Sequence, residues 1–422
     1  MGHGSEIPRG RSGSPVDNQQ IRRHRPDYWL VVLAVLLVAI GLTVVYAISP
    51  ALAATSGGTG SRYVSRQTIA IGLSIVAFGI TATVPLKAWE KWKMPLLVVA
   101  IVGTLIALLT PVIPAYPAHR WIRFGGMSLQ SVEFLKFALL IWLGSFLAVR
   151  VRKQTLIDPK QTLRPLMIAI VVIGLVVAGV QSDLGSTGVI VAMIAAMAYI
   201  AGMPLRRVAT IAAIVLIGTV LAVSAIPYRR ERLLTFLHPA SNCLTTGYQS
   251  CQALIAVGSG GINGLGLGRS VQAYGYLPEA QNDSIFAIYA EKFGFIGVMV
   301  LLALFVALFA RLRLIIERTQ DVFSQLVVAG VLAWLSVQMI INVGAMIGLL
   351  PLKGITLPFV SYGGTSVLFV GAALGLVFQI SHYTSFSART ITRGGGQRTT
   401  HEDTDDGRRL RRPYHPDLSG RS

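Results

Sequence analysis

Tyr276-Leu277-Pro278-Glu279-Ala280-Gln281-Asn282-Asp283 runs directly into Ser284–Leu312, SIFAIYAEKFGFIGVMVLLALFVALFARL. An α-helix needs about 20 mostly apolar residues to cross the hydrocarbon layer, and the second stretch is long enough to do so. The first stretch is acidic and cannot follow it in, because a carboxylate costs several kcal/mol in hydrocarbon. Asp283 is therefore placed at the membrane surface, where water and a lipid headgroup meet. That position suits chemistry on a lipid-linked substrate at the outer face.

Nine further apolar runs surround this one, giving expected spans at about 28–50, 68–86, 94–114, 131–150, 165–182, 186–203, 206–227, 284–312, 323–350 and 366–385. The 422-residue chain is 53% hydrophobic and 13% charged, about half the charge fraction of a soluble domain, and its mean hydropathy is +0.63. The expected fold is an all-α integral membrane protein of about ten transmembrane helices. Of its 37 lysines and arginines, 26 fall on one side of such an arrangement and 9 on the other, with Lys136 and Lys292 inside spans. Basic residues mark the cytoplasmic side, so both termini are expected to be cytoplasmic and 228–283 to be one large outer loop. No cleavage site follows the first run, which should act as a signal anchor.

The division is then a cytoplasmic tail 1–27, a membrane domain 28–385 and a second cytoplasmic tail 386–422. Both tails have the Gly, Ser, Pro, Arg and Asp content of disordered segments. The net charge of +19 needs no nucleic acid, because basic residues at cytoplasmic helix ends meet anionic headgroups. Six glycines from Gly258 to Gly268 permit close backbone approach to a ligand or a flat surface turn; no predicted strand precedes them, so a dinucleotide site is a poor reading. The two cysteines, Cys243 and Cys251, share the outer loop. They are unrelated thiols or a staple, and a staple requires the chain to bend near Thr245-Thr246-Gly247, since in a continuous helix their Cα atoms would lie about 12 Å apart.

Four places carry candidate chemistry. Arg120-Trp121-Ile122-Arg123 in the loop 115–130 combines phosphate-binding and interfacial side chains, or forms an ordinary aromatic belt. Glu133 and Lys136 share one face of the fourth span, and intramembrane charges are functional candidates or structural ties. Asp183 stands in a short outer turn where it suits a helix cap. Glu279, Asp283 and, two turns on, Glu291 form the fourth place; an N-cap of the eighth span is the plain alternative for Asp283.

Several long segments, HRWIRFGGMSLQSVEFLKFALL, QSDLGSTGVI, GYQSCQALIAVGSGGINGLGLGRSVQAYGYLPEAQNDSIFAIYAEKFGFIG and INVGAMIGLLPLKGITLPFVSYGGTS, occur in an order that resembles the SEDS family (shape, elongation, division and sporulation) over about residues 28–385. GLGLGRS, YLPEA and GITLPFVSYGGTS resemble its division branch, typified by FtsW, more than its elongation branch, typified by RodA. By motif, Asp283 matches the family's essential outer aspartate, Trp121 the tryptophan of its Arg-Trp pair, Glu133 and Lys136 its acid–base pair, and Glu291 the first acid of its Glu-Glu-Leu-Gly. Gln281-Asn282 stands where the family usually has His-Thr, Lys292 replaces the second acid, Ser131-Val132 replaces Pro-Ser, and the two cysteines are not a general family feature.

The resemblance implies a peptidoglycan glycosyltransferase that polymerises lipid II at the outer face of the bacterial cytoplasmic membrane, with Asp283 as base. Arg120, Arg123, Arg229, Arg230, Arg232 and Arg269 are its candidate phosphate contacts. No cofactor is required by the sequence; a divalent cation, Mg or Mn, on the pyrophosphate is compatible with this chemistry, and no metal-ligand spacing is present. Implied partners are a class B penicillin-binding protein transpeptidase and other divisome membrane proteins. Small residues of the ninth span, Gly330, Ala333, Gly344 and Ala345, are the expected contact with the transpeptidase helix. A lipid II flippase, an elongation-type polymerase and a recruiting scaffold are the alternatives.

Overall fold

The computed structural model describes residues 25–56, 59–110, 121–124, 127–181, 183–224, 236, 243–245, 247–352 and 354–383. The two tails beyond them, and with them Arg120, Arg229, Arg230 and Arg232, lie outside the described residues. A helix lies at each position where a span is expected, over the described residues: α1 (Tyr28–Ser56), α2 (Gly60–Thr83), α3 (Leu86–Leu109), α4 (Ser131–Arg152), α5 (Arg164–Ile173, with π-helical turns at Pro159–Leu163 and Gly174–Val180), α6 (Leu184–Ile200), α7 (Leu205–Ser224), α9 (Ile285–Arg318), α10 (Val322–Met346) and α11 (Gly364–Ser381). Between α7 and α9 lies a shorter helix, α8 (Tyr248–Ser259). Eight of the described helical segments are long and apolar enough to cross a membrane, and the chain is an integral membrane protein.

Helix ends differ from the hydropathy reading where polar residues continue a helix. α2 and α3 begin at Gly60 and Leu86, not at 68 and 94. Their first turns hold Arg62, Ser65, Arg66, Lys87, Glu90, Lys91 and Lys93, which a hydropathy window rejects but a helix accepts. α10 stops at Met346 because Gly348 turns to a φ of +77° and the amides of Leu349 and Leu350 return to the Gly344 carbonyl.

α4, α10 and α11 are buried on most of their faces, whereas α2 and α3 are largely exposed. α2 and α11 pack closely because α11 presents Gly371 and Gly375, one turn apart. A Cβ on either would fall 2.1 Å from Ser74 Oγ or Thr81 Oγ1, the small-residue contact that lets membrane helices approach. Trp334 of α10 is fully buried at the centre.

The four small residues expected to meet a partner helix face inward instead. A Cβ on Gly330 would meet Leu140 and Met197, and one on Gly344 would meet Leu350. Ala333 and Ala345 are buried within the chain. Small residues permit close packing wherever it occurs, and here they serve the chain's own core.

Candidate functional site

The site starts from a break in α9. Gly294 takes a φ of +63° and a ψ of −165°, which ends one helix and starts another. Such a break frees backbone amides and carbonyls that hydrocarbon cannot satisfy. The glycine-rich segment satisfies them. Leu265 N donates to Glu291 O (2.9 Å) and Gly266 N to Lys292 O (3.0 Å), while Phe295 N donates to Gly261 O (2.9 Å) and Ile296 N to Ile262 O (3.1 Å). The close approach needs glycine: a Cβ on Gly264 would sit 2.2 Å from Lys292 O, and one on Gly260 2.1 Å from Ala290 O. Gly260 and Gly264 thus meet the kinked helix, while a Cβ on Gly258, Gly261, Gly266 or Gly268 would meet nothing within 4 Å.

Glu291, almost completely buried, carries this order toward the acidic segment. Its carboxylate accepts from Ser270 Oγ, from Val271 N (2.9 Å) and from Gln272 N (3.2 Å). Lys292 Nζ donates to Leu267 O (2.6 Å). Glu291 and Lys292 therefore hold the chain immediately around Arg269, whose side chain is exposed.

The turn 276–284 follows. Glu279 has a φ of +52°, its carbonyl accepts from Asn282 N and Ser284 N, and its carboxylate accepts from Asn282 Nδ2. Ser284, not Asp283, is the N-cap of α9, so the cap alternative for Asp283 is set aside. Asp283 lines a small pocket with Ile341, Asn342, Ala345, Met346, Gly354 and Ile355.

Two residues that the sequence reading passed over set this geometry. Asn342 Nδ2 donates to Asp283 O (2.8 Å) and to Ile355 O (2.6 Å). One turn away on α10, Gln338 Nε2 donates to Thr356 O (3.0 Å), and Thr356 Oγ1 donates to Ser366 Oγ of α11 (3.1 Å). The loop 357–362 closes the other side: Ser361 Oγ donates to Asn282 O (2.7 Å) and Tyr362 N to Gln281 O (2.8 Å). Phe359 there has a φ of +66°, and the loop rests on Gly41 of α1, where a Cβ would meet Val360 O at 2.6 Å. Tyr362 stacks edge-on against Tyr63 of α2. Burial pushes its phenol above the usual value, and the nearby Arg66, which hydrogen-bonds it, and Arg62 oppose that shift.

Glu133 and Lys136 join the same network from below. Both are buried, with Lys136 Nζ 2.8 Å from Glu133 Oε1 and 2.8 Å from Gln338 Oε1, over the Trp334 ring. Trp334 Nε1 also donates to Gln338 Oε1 (2.8 Å). The acid–base pair is thereby linked, through Gln338, to the loop that faces Asp283. Glu133 Oε2 has no hydrogen-bond partner among the described residues.

The remaining candidates fall around this centre. Asp183, fully buried, caps α6 through Ser186 N (3.0 Å) and Ser186 Oγ (2.9 Å). Trp121 and Arg123 belong to a hairpin, β1 (Trp121–Phe124) paired antiparallel with β2 (Met127–Gln130). The hairpin is tied to α11, since Thr365 Oγ1 donates to Ser128 O and accepts from Gln130 N. Cys243 and Cys251 are bridged, with Cα atoms 5.6 Å apart, and the chain bends between them through Tyr248 N to Thr245 O.

Known proteins carry the same plan. The family model described as cell cycle protein, covering FtsW, RodA and SpoVE, matches residues 28–386. A probable peptidoglycan glycosyltransferase FtsW of Coxiella burnetii is 36% identical over 363 residues, 85% of this chain and 96% of that protein. Stage V sporulation protein E of Bacillus subtilis is 34% identical over 366 residues, 86% of this chain and 99% of that one. A structure from work on the coordination of polymerization and crosslinking by a peptidoglycan synthase complex superposes with a TM-score of 0.65 at 26% identity, over 84% of this chain and 97% of the other. Thermus thermophilus rod shape determining protein RodA gives 0.59 at 24% identity, over 84% and 96%, a likeness of fold. The chain belongs to the FtsW, RodA and SpoVE family of cell cycle proteins.

Proposed function

We infer that this protein is a peptidoglycan glycosyltransferase of the FtsW type, which polymerises lipid II for septal wall synthesis at the outer face of the bacterial cytoplasmic membrane. The observation that carries the reading is Asp283: a carboxylate-bearing residue at the mouth of a transmembrane helix, beside a pocket, with its main chain fixed from α10 and its turn held by the loop 357–362.

The chemistry asks little else of the protein. The 4-hydroxyl of the acceptor sugar forms a bond to the anomeric carbon of the lipid-linked donor. The bond from that carbon to the pyrophosphate breaks, and undecaprenyl pyrophosphate leaves with the electron pair. Asp283 takes the hydroxyl proton, since an alcohol is a weak nucleophile and a positioned base typically contributes about 10²–10⁴-fold. Pyrophosphate is a good leaving group without a proton, so cations suffice to hold its charge. Arg269, exposed beside the Glu291-tethered segment, is the described candidate for this. Arg62 and Arg66, near Tyr362, are two more that the sequence reading left aside. No group of three or more acid, histidine or cysteine side chains comes together among the described residues, so we place any Mg or Mn on the substrate's pyrophosphate rather than in a protein cage.

The intramembrane charges that make lipid II flipping an alternative are engaged with the chain's own groups. Lys136 meets Glu133 and Gln338, and Glu291 holds residues 270–272. This favours a structural duty over a polar path. A class B transpeptidase is the proposed partner, in keeping with the polymerization and crosslinking of the neighbouring synthase complex.

Purified protein supplied with lipid II decides the matter. Wild type should make glycan strands, and Asp283→Asn should lose at least 10²-fold in rate while remaining folded. Retention of more than a few percent of activity in Asp283→Asn would remove Asp283 as the base; transbilayer movement of lipid II without strand formation would favour the flippase.

A further inference from the structure

We propose that Asn342 is a positioning residue for Asp283, acting as an amide clamp between the turn before α9 and the loop after α10. The proposal rests on the polymerase reading above for its kinetic consequence, and on geometry alone for the clamp.

The clamp joins two acceptors. Asp283 O and Ile355 O are both carbonyl oxygens, and neither can bond the other. A group that bridges them must supply two N–H donors from one point. The Asn342 NH₂ does this, at 2.8 and 2.6 Å. The side chain is buried, and its Oδ1 has no hydrogen-bond partner among the described residues. A buried polar atom left unpaired costs about 1–3 kcal/mol. The amide orientation is therefore set by the two carbonyls and not by its oxygen, which marks the bridge as the interaction that the site requires.

The position matters because the clamp holds the backbone carbonyl of Asp283 itself. Its neighbours Gln281 and Asn282 are held by Tyr362 N and Ser361 Oγ from the loop 357–362. Asp283 O is held from α10 itself, a rigid and deeply buried helix. Asn342, Asp283 and Ile355 all line one pocket. Misplacement of the base by about 1 Å can cost about 10²-fold in rate. Aspartate keeps the shape of asparagine and only accepts, while leucine keeps the bulk and neither donates nor accepts.

The test compares Asn342→Leu and Asn342→Asp with wild type, in nanodiscs, by two readouts. In backbone hydrogen exchange, both variants should lose protection at residues 279–284 and 354–357 and keep it in the stitch at 260–266. In lipid II polymerisation, kcat should fall at least tenfold while KM for lipid II stays within about threefold, the pattern of a base held out of place rather than of a lost substrate contact. Unchanged exchange at 279–284 and 354–357 overturns the clamp whatever the rates do. A raised KM with kcat retained overturns it as well, and so does global loss of protection in both variants, because a positioning contact is dispensable for the fold. A wild type that makes no strands while the two segments still lose protection would break the polymerase reading and leave the clamp standing.

Discussion

Two regions beside Asp283 meet one problem with opposite means. At 260–266 against 290–296, backbone answers backbone: four main-chain hydrogen bonds repair the break in α9. At α10 against Asp283 and the Ile355–Thr356 segment, side-chain amides answer backbone, through Gln338 and Asn342. Both repairs are needed because unpaired peptide groups are costly in an apolar bundle. Their tolerances differ. The first depends on the absence of a Cβ and is indifferent to chemistry; the second depends on an NH₂ group and is indifferent to glycine. The steric repair forms the frame, and the chemical repair lies next to the pocket, where a group can be exchanged for substrate or water.

The comparison breaks most sharply at the glycines. Gly264→Ala or Gly294→Ala puts a Cβ within 2.2–2.3 Å of backbone atoms at a positive φ, so a large loss is expected, in the exceptional range above about 4 kcal/mol. Gly268→Ala, with nothing within 4 Å, should be near neutral. Thermal unfolding followed by size-exclusion chromatography checks both. Equal tolerance at Gly264 and Gly268 would mean that the stitch is not steric.

The polar side is probed through its lower end. Lys136→Met strands Glu133 in a buried site where its second oxygen has no partner among the described residues, which should cost about 3–5 kcal/mol. The double change Lys136→Met, Glu133→Gln should recover much of that. A cycle in which the two losses simply add would separate the pair from the network. The disulfide ranks next. It closes a loop of eight residues' separation just before the stitch, so Cys243→Ser with Cys251→Ser should cost about 2–3 kcal/mol by loop entropy, with polymerisation retained when the protein is folded.

The ten helices were legible because an apolar run of membrane length has few other readings. Asp283, Asp183 and the Glu133–Lys136 pair were legible because a charge is conspicuous in such a sequence. Gln338 and Asn342 were not: one amide in each turn of an apolar helix scarcely moves a hydropathy window, and only the partners show what it holds. The glycine-rich segment was visible as a place of close approach, but the surface approached, a kink in the following helix, depends on Gly294 and is a tertiary fact. The hairpin 121–130 was missed because four-residue strands rich in tryptophan, arginine and phenylalanine look like an interfacial belt. The partner face on α10 was misread because small residues report close packing without saying with what.

The smallest effect expected is at the far side of the clamp, where Tyr362 closes over Gln281. Its phenol is held above the ordinary tyrosine value of about 10, first by burial, with Arg66 and Arg62 opposing. The neutral form is thus the one that the folded state prefers. Below pH 10 the phenol is neutral in both folded and unfolded chains, and its contribution to stability is fully present. As the pH rises through 10 the unfolded chain releases the proton while the folded one retains it, and that contribution is lost. Tyr362→Phe should therefore change stability at pH 7 by about 1 kcal/mol or less, the worth of a single net hydrogen bond. Above pH 10 the wild type should lose stability faster than the variant, so that the gap between their unfolding midpoints closes or reverses. Midpoints measured from pH 7 to 11 that fall in parallel would show that Tyr362 ionises as freely in the folded protein as in the unfolded, and that the loop 357–362 is held without its phenol, by contacts such as Tyr362 N to Gln281 O and Ser361 Oγ to Asn282 O.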